Sequence, residues 1–132
     1  MSANEIIPHP AERYAEARII GHEDWQSAVE MIEDLLEVLD RERWDRVFVD
    51  MSDAVVRLSA REAVDLAAFM TNFYMSKVAV AFMAPADPDV RAAEAVQALA
   101  GSLSDHGHEV CFIRNHAERS VWASQGALKT GT

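Results

Sequence analysis

RVFVDMSDAVVRLSARE, residues 46–62, changes its hydrophobic period part-way along, and the change divides it into a strand and the start of a helix. Val47, Phe48 and Val49 are consecutive, apolar, and β-branched or aromatic, as in a strand covered on both faces of a sheet. Asp50, Ser52 and Asp53 then read as an acidic turn that stops the strand. After a link through Val55 and Val56, Ser59 and Glu62 form S-x-x-E, in which each side chain satisfies a backbone N–H at a helix start. A helix is therefore predicted from Ala60. Ala63, Leu66, Ala67, Met70, Phe73 and Tyr74 fall on one side of it, opposite Arg61, Glu62, Asp65 and Asn72, so the unit faces a core.

Downstream, KVAVAFM at 77–83 is a second apolar run of the kind found inside a parallel sheet, ended by Pro85. Asp87 and Pro88 read as a helix cap and first helical position. The helix that follows has Val90, Ala93, Val96, Leu99, Ala100 and Leu103 as its inner face and Gly107 as its stop. EVCFI at 109–113 is the last strand, and Asn115 with Glu118 caps a short final helix through Val121 and Trp122. The domain spans 1–124, and residues 125–132 form a flexible tail without periodicity.

Upstream, 23–43 is an amphipathic helix. Trp25, Ala28, Val29, Ile32, Leu35, Leu36 and Leu39 face inward, and the acids Glu30, Glu33, Asp34, Glu37 and Asp40 form a solvated outer face. Residues 13–20 read as a strand closed by Gly21, and 5–7 as a short edge strand that Pro8 and Pro10 end. Alternating elements with short links imply one α/β domain: a mostly parallel four- or five-stranded sheet with about four helices. Two helices on each face, or a one-sided arrangement with a bare face left for pairing, both satisfy this order.

At 132 residues the chain suffices for one domain with a core. Twelve basic against 22 acidic residues give a net charge of -10, which repels phosphate backbones and anionic headgroups and argues against nucleic acid as a partner. A single cysteine, Cys111, precludes an internal disulfide and suits a reducing compartment, so a cytoplasmic location is expected. No run approaches the length of an integral membrane segment.

The order of elements, with VFVDMSDAVVRLSAREAV at its centre, then KVAVAFM, then EVCFIRNHAERSVWA, resembles the STAS-like domains related to bacterial anti-sigma-factor antagonists. It looks closest to their divergent stand-alone branch, which is linked to CRAL-TRIO lipid-carrier folds and often closes on a helix running from alanine to tryptophan. The resemblance covers about residues 13–123. In the antagonists the central strand is followed by D-L-S-G, and a helix start carries D-S-S-G, whose second serine is phosphorylated. Asp50 and Ser52 match the first motif. The second falls on Leu58, Ser59, Ala60 and Arg61, so the usual phosphorylatable serine is absent. The resemblance thus implies a regulatory or protein-interaction module that works without that switch.

Asp50, Ser52 and Asp53 lie where a parallel strand reaches its carboxyl edge, the usual place for ligands in open α/β sheets. Arg57, Met83 and Arg91 on neighbouring connections are candidates to face the same edge, with an arginine pairing a ligand's charge. The plainer reading is that Asp50 and Ser52 only bond turn amides. Ser59 is placed with them but is already explained as a cap. Phe69 stands outside the apolar face of its helix and marks an interface, an aromatic accommodated in the core, or a lone exposed one.

His106 and His108 read as a surface loop rather than a metal site, and Cys111 as a buried thiol. No phosphate loop, dinucleotide fingerprint or nucleophile motif is present, so no cofactor and no enzymatic activity are expected. The leading expectation is a homodimeric regulatory or interaction module. The alternative is a carrier or sensor of a small apolar or lipid-like ligand, held in a pocket lined by residues such as Met70, Phe73 and Met83.

Overall fold

The central strand, β3 (Arg46–Val56), is longer than its composition suggests: it continues through Asp50, Ser52 and Asp53 instead of stopping there. The reason lies in its neighbour. Strand β2 (Tyr14–Glu23) runs parallel beside it all the way, from Ala15 opposite Val47 to Glu23 opposite Val56. Between the pairs Arg18–Asp50 and Ile20–Asp53, β3 advances one residue more than β2, which makes a bulge at Met51–Ser52. Asp50 serves that bulge. Its carboxylate accepts the Ser52 N–H at 3.0 Å and the Ser52 hydroxyl at 2.6 Å. Gly21 likewise does not close β2; at φ 82° it carries the strand onward in a conformation that glycine adopts without strain.

The computed structural model describes residues 4–73 and 77–129. In chain order the elements are β1 (Glu5–His9), β2, α1 (Trp25–Glu42), β3, α2 (Ala60–Phe73), β4 (Ala79–Met83), α3 (Val90–Asp105), β5 (Glu109–Phe112) and α4 (His116–Lys129). They form one α/β domain whose five-stranded sheet has the order β1-β2-β3-β4-β5. β1 pairs antiparallel with β2, and β2 to β5 are parallel. Pro8 lies inside β1, opposite Ala15; an edge strand tolerates it because a proline nitrogen turned outward forfeits no ladder bond.

Sequential parallel strands joined by right-handed crossovers put their helices on one face. Val47 and Met51 of β3 and Val80 and Phe82 of β4 accordingly pack with Leu35 and Leu39 of α1, Leu66 and Met70 of α2, and Val96 and Leu103 of α3. The alternate residues Tyr14, Phe48 and Ala81 form a second, smaller core with Ile113, Trp122 and Ala123, closed by α4. The helices are therefore divided three to one between the faces. β3 is apolar in both phases at its start because it is covered on both sides.

The helix ends follow local chemistry. Asp24 caps α1 by accepting the Ser27 N–H at 2.9 Å, and the predicted pair Ser59 and Glu62 caps α2 reciprocally at 2.9 and 3.1 Å. In α3 the cap is Asp89, which accepts the Ala92 N–H at 2.7 Å, so Asp87 and Pro88 precede the helix instead of starting it. This turns the inner face: Ala92, Ala95, Val96, Ala100 and Leu103 are buried, while Val90 is 76% exposed and Ala93 also faces outward. α4 runs past Trp122 to Lys129, so part of the expected tail is helical. Tyr74 and residues 130–132 lie outside the described residues.

Candidate functional site

The described contacts of α4 fall on the lower part of its face of the sheet, where Arg119, Trp122 and Ala123 meet Tyr14, Glu16 and Phe48. Beyond it, toward the carboxyl ends of the strands, Arg18, Asp50, Ser52 and Met83 are half-buried, and His22, Asp53 and Val55 are exposed. β4 pairs with β3 only as far as Met83 opposite Asp50, while β2 and β3 continue together to Glu23 and Val56. The two strands thus overhang the sheet as a ribbon. His22 pairs with Val55 at its tip, and Arg57 donates from Nε to His22 Nδ1 at 3.3 Å. The Ser52 carbonyl is met by Ala86 N–H at 3.4 Å.

The expected site residues divide between the two sides of the sheet. Asp50, Ser52, Asp53 and Met83 lie together on or beside the ribbon, with Arg57 at its exit. Ser59 is engaged as the α2 cap, and Ala60, where the resemblance puts a phosphorylated serine, opens that helix. Phe69 is half-buried on α2, and Arg91 is exposed in the first turn of α3. Met83 does not join Met70 in one pocket. It packs on the α4 face, whereas Met70 belongs to the core under α1 to α3, because strand neighbours one residue out of phase point to opposite faces. The Phe73 side chain lies outside the described residues.

A polar group that the sequence reading missed anchors α4. Glu16 is 1% exposed, and its carboxylate receives His9 Nε2 at 2.8 Å, Arg18 Nη2 at 3.0 Å, and Arg119 of α4. Burial acts to raise the Glu16 pKa, but the His9 hydrogen bond and the charges of Arg119 and Arg18 outweigh it and hold the group below the usual glutamate range. Arg119 stacks over Phe48, 4.4 Å from the ring centre, and Nη2 reaches the Tyr14 hydroxyl at 3.3 Å. Arg46 lies 4.0 Å over Trp122 and donates to the carbonyls of Trp122 and Ala123. The available signal was Glu16 itself, two residues from Arg18 in a strand flanked by alanines, a carboxylate whose burial requires a partner.

The histidines also depart from expectation. His108 is buried, not part of a surface loop. Its Nδ1 accepts the Val78 N–H at 3.0 Å, so the ring proton lies on Nε2, which donates to Thr71 Oγ1 at 3.0 Å; Thr71 in turn donates to the Ala67 carbonyl at 2.9 Å. Desolvation, with Lys77 and His106 nearby, lowers the His108 pKa. His106 is held at Nδ1 by the Ser102 carbonyl, 2.7 Å away. Among the described residues no three His, Cys, Asp or Glu side chains are grouped to hold a metal ion.

Cys111, expected to be buried, is exposed on the edge strand β5. Partial desolvation raises its pKa against the opposing pull of Arg46, so the thiol is a poor nucleophile. No helix among the described residues is long and apolar enough to cross a membrane.

No protein-family model matches the sequence, and no curated protein matches it. Among solved structures the chain is similar to the crystal structure of an antisigma-factor antagonist, a STAS domain from Rhodobacter sphaeroides, at 17% identity over 86% of each chain with a TM-score of 0.36. Within residues 13–123 the order of elements is the one on which the sequence resemblance rested: parallel strands with helices between them, and a closing helix that carries Trp122.

Proposed function

We propose that the protein is a non-enzymatic interaction module of STAS-like type that acts in the cytoplasm as a homodimer, through the overhanging β2–β3 ribbon. The observation that carries this reading is Val55, 46% exposed at the ribbon tip beside Asp53 and His22, on a stretch of sheet that β4 does not reach. Asp50 and Ser52 hold the bulge that re-aims this end of β3. An exposed apolar residue within a polar rim on a rigid strand suits a docking surface better than a reaction centre. With Ala60 in the position of the usual phosphorylatable serine, association on this reading does not respond to a kinase at that position.

The test is the sedimentation velocity of the wild type and of Val55→Glu, with circular dichroism to verify the fold. A concentration-dependent dimer that becomes monomeric in the variant supports the proposal. A wild-type monomer throughout the micromolar range, or a variant that dimerises equally well, refutes it.

A further inference from the structure

The layer between the sheet and helices α1 to α3 is not filled solid. An internal space of about 80 Å³ lies among Ile19, Met31, Met51, Leu66, Met70 and Phe82, at the level where all three helices cross the middle strands. Of the residues that line it, Glu23 is the one that ionises, and its carboxylate is engaged with Asn4 Nδ2 at 3.3 Å. Water retained in a protein interior needs two to four polar partners, and these walls do not offer them. An apolar cavity therefore stays dry, and its walls forfeit the dispersion contacts that a close-packed core would make.

We infer that this cavity is a binding site for a small uncharged apolar molecule. A charged or strongly polar ligand would lose its hydration there without compensation. The size admits a compact group of a few heavy atoms: it is roughly half the volume of an engineered apolar cavity of about 150 Å³ that takes up benzene or xenon. Three methionines, one each from α1, β3 and α2, line it, and their unbranched, polarisable side chains can repack around an occupant without backbone movement. This site lies on the opposite side of the sheet from the proposed docking surface, and the inference does not depend on that surface.

The methionines provide the test and its control. Protein labelled with ¹³C at the methionine methyls is titrated with xenon and, separately, with benzene, and followed by NMR. Saturable shifts at Met31, Met51 and Met70, with Met83 on the α4 face unmoved, are expected for xenon, with benzene binding more weakly because it must displace side chains. Ala63→Leu, which grows a side chain into the cavity, is expected to weaken xenon binding at least tenfold; should it fail to fold, Ala95→Val makes the same test. The inference is overturned if the three inner methyls do not move, if Met83 moves with them, or if a folded, filled variant binds xenon as the wild type does.

Discussion

Glu16 and Arg119 stand 103 residues apart in the chain and meet across the sheet, so that the last helix is tied to the second strand by an ion pair with a fully buried carboxylate. The pair is supported from both ends. His9 and Arg18 complete the shell around Glu16, and Arg119 lies on the face of Phe48. Buried ion pairs add little net stability relative to an apolar replacement, but removing one partner leaves an uncompensated charge. Their consequence here is one of placement: α4 is held on this face and in this register.

Arg119→Ala should therefore destabilise the domain by about 3 kcal/mol, while Arg119→Ala combined with Glu16→Leu should cost clearly less than the two single changes added. Urea denaturation of the four proteins in the cycle measures this, and additivity of the single effects would contradict it. Because the Glu16 pKa is depressed in the folded state, the unfolded chain protonates first as pH falls. The contribution is complete above about pH 4.3 and is lost as acid drives the pH down through the lowered folded value. The Glu16→Leu protein should show a correspondingly weaker loss of stability in acid.

His108 gives a second pH dependence in a separate window. Its folded pKa is lowered by desolvation, so the unfolded chain again takes up the proton first. The stability it confers is complete above about pH 6.5 and declines below it, because the protonated ring no longer accepts the Val78 N–H. His108→Phe should lose about 2 kcal/mol at pH 8, where it leaves the Val78 N–H without its acceptor, and should flatten the stability profile between pH 7 and pH 5. Denaturant titrations at those pH values decide the matter; an unchanged slope in the variant would assign the dependence to another group.

Arg43 ends α1 at φ 60°, a left-handed conformation, with its N–H and that of Trp44 both directed at the Leu39 carbonyl, the latter at 3.1 Å. This is the helix ending in which glycine is preferred, because a Cβ there is crowded by backbone. Arg43→Gly is expected to raise stability by about 1 kcal/mol, or roughly 4 °C in a domain of this size. Thermal unfolding by calorimetry checks it, and a lower melting temperature would mean that the arginine side chain contributes more than its backbone strain removes.

Much of this architecture was legible in the chain. The reciprocal cap of Ser59 and Glu62, the Asn115 cap of the last helix and the glycine stop at Gly107 are signals confined to a few residues, and the backbone obeyed them. The start of α3 went otherwise: the cap is Asp89, two residues beyond the predicted Asp87, and Val90 is exposed instead of facing inward. The acids of β3 misled because a strand's end depends on its neighbour as well as its own composition; with β2 alongside, Asp53 and Val55 stay extended.

The candidate surface was only half visible for the same reason. Met83 lies opposite Asp50 in register and Asp50 bonds Ser52, but which side of the sheet they share follows from strand phase.

Period, composition and capping residues by themselves determined that this chain makes a mostly parallel sheet with crossover helices, because those signals act over distances of a few residues. Only the tertiary structure decided that three helices lie on one face, that Glu16 is satisfied by Arg119, that His108 is a buried neutral acceptor, and that an apolar space remains under the helices. Each of these is a contact, or a gap, between segments far apart in the chain. Its energy exists only once the chain has closed on itself, so no local stretch of sequence contains it.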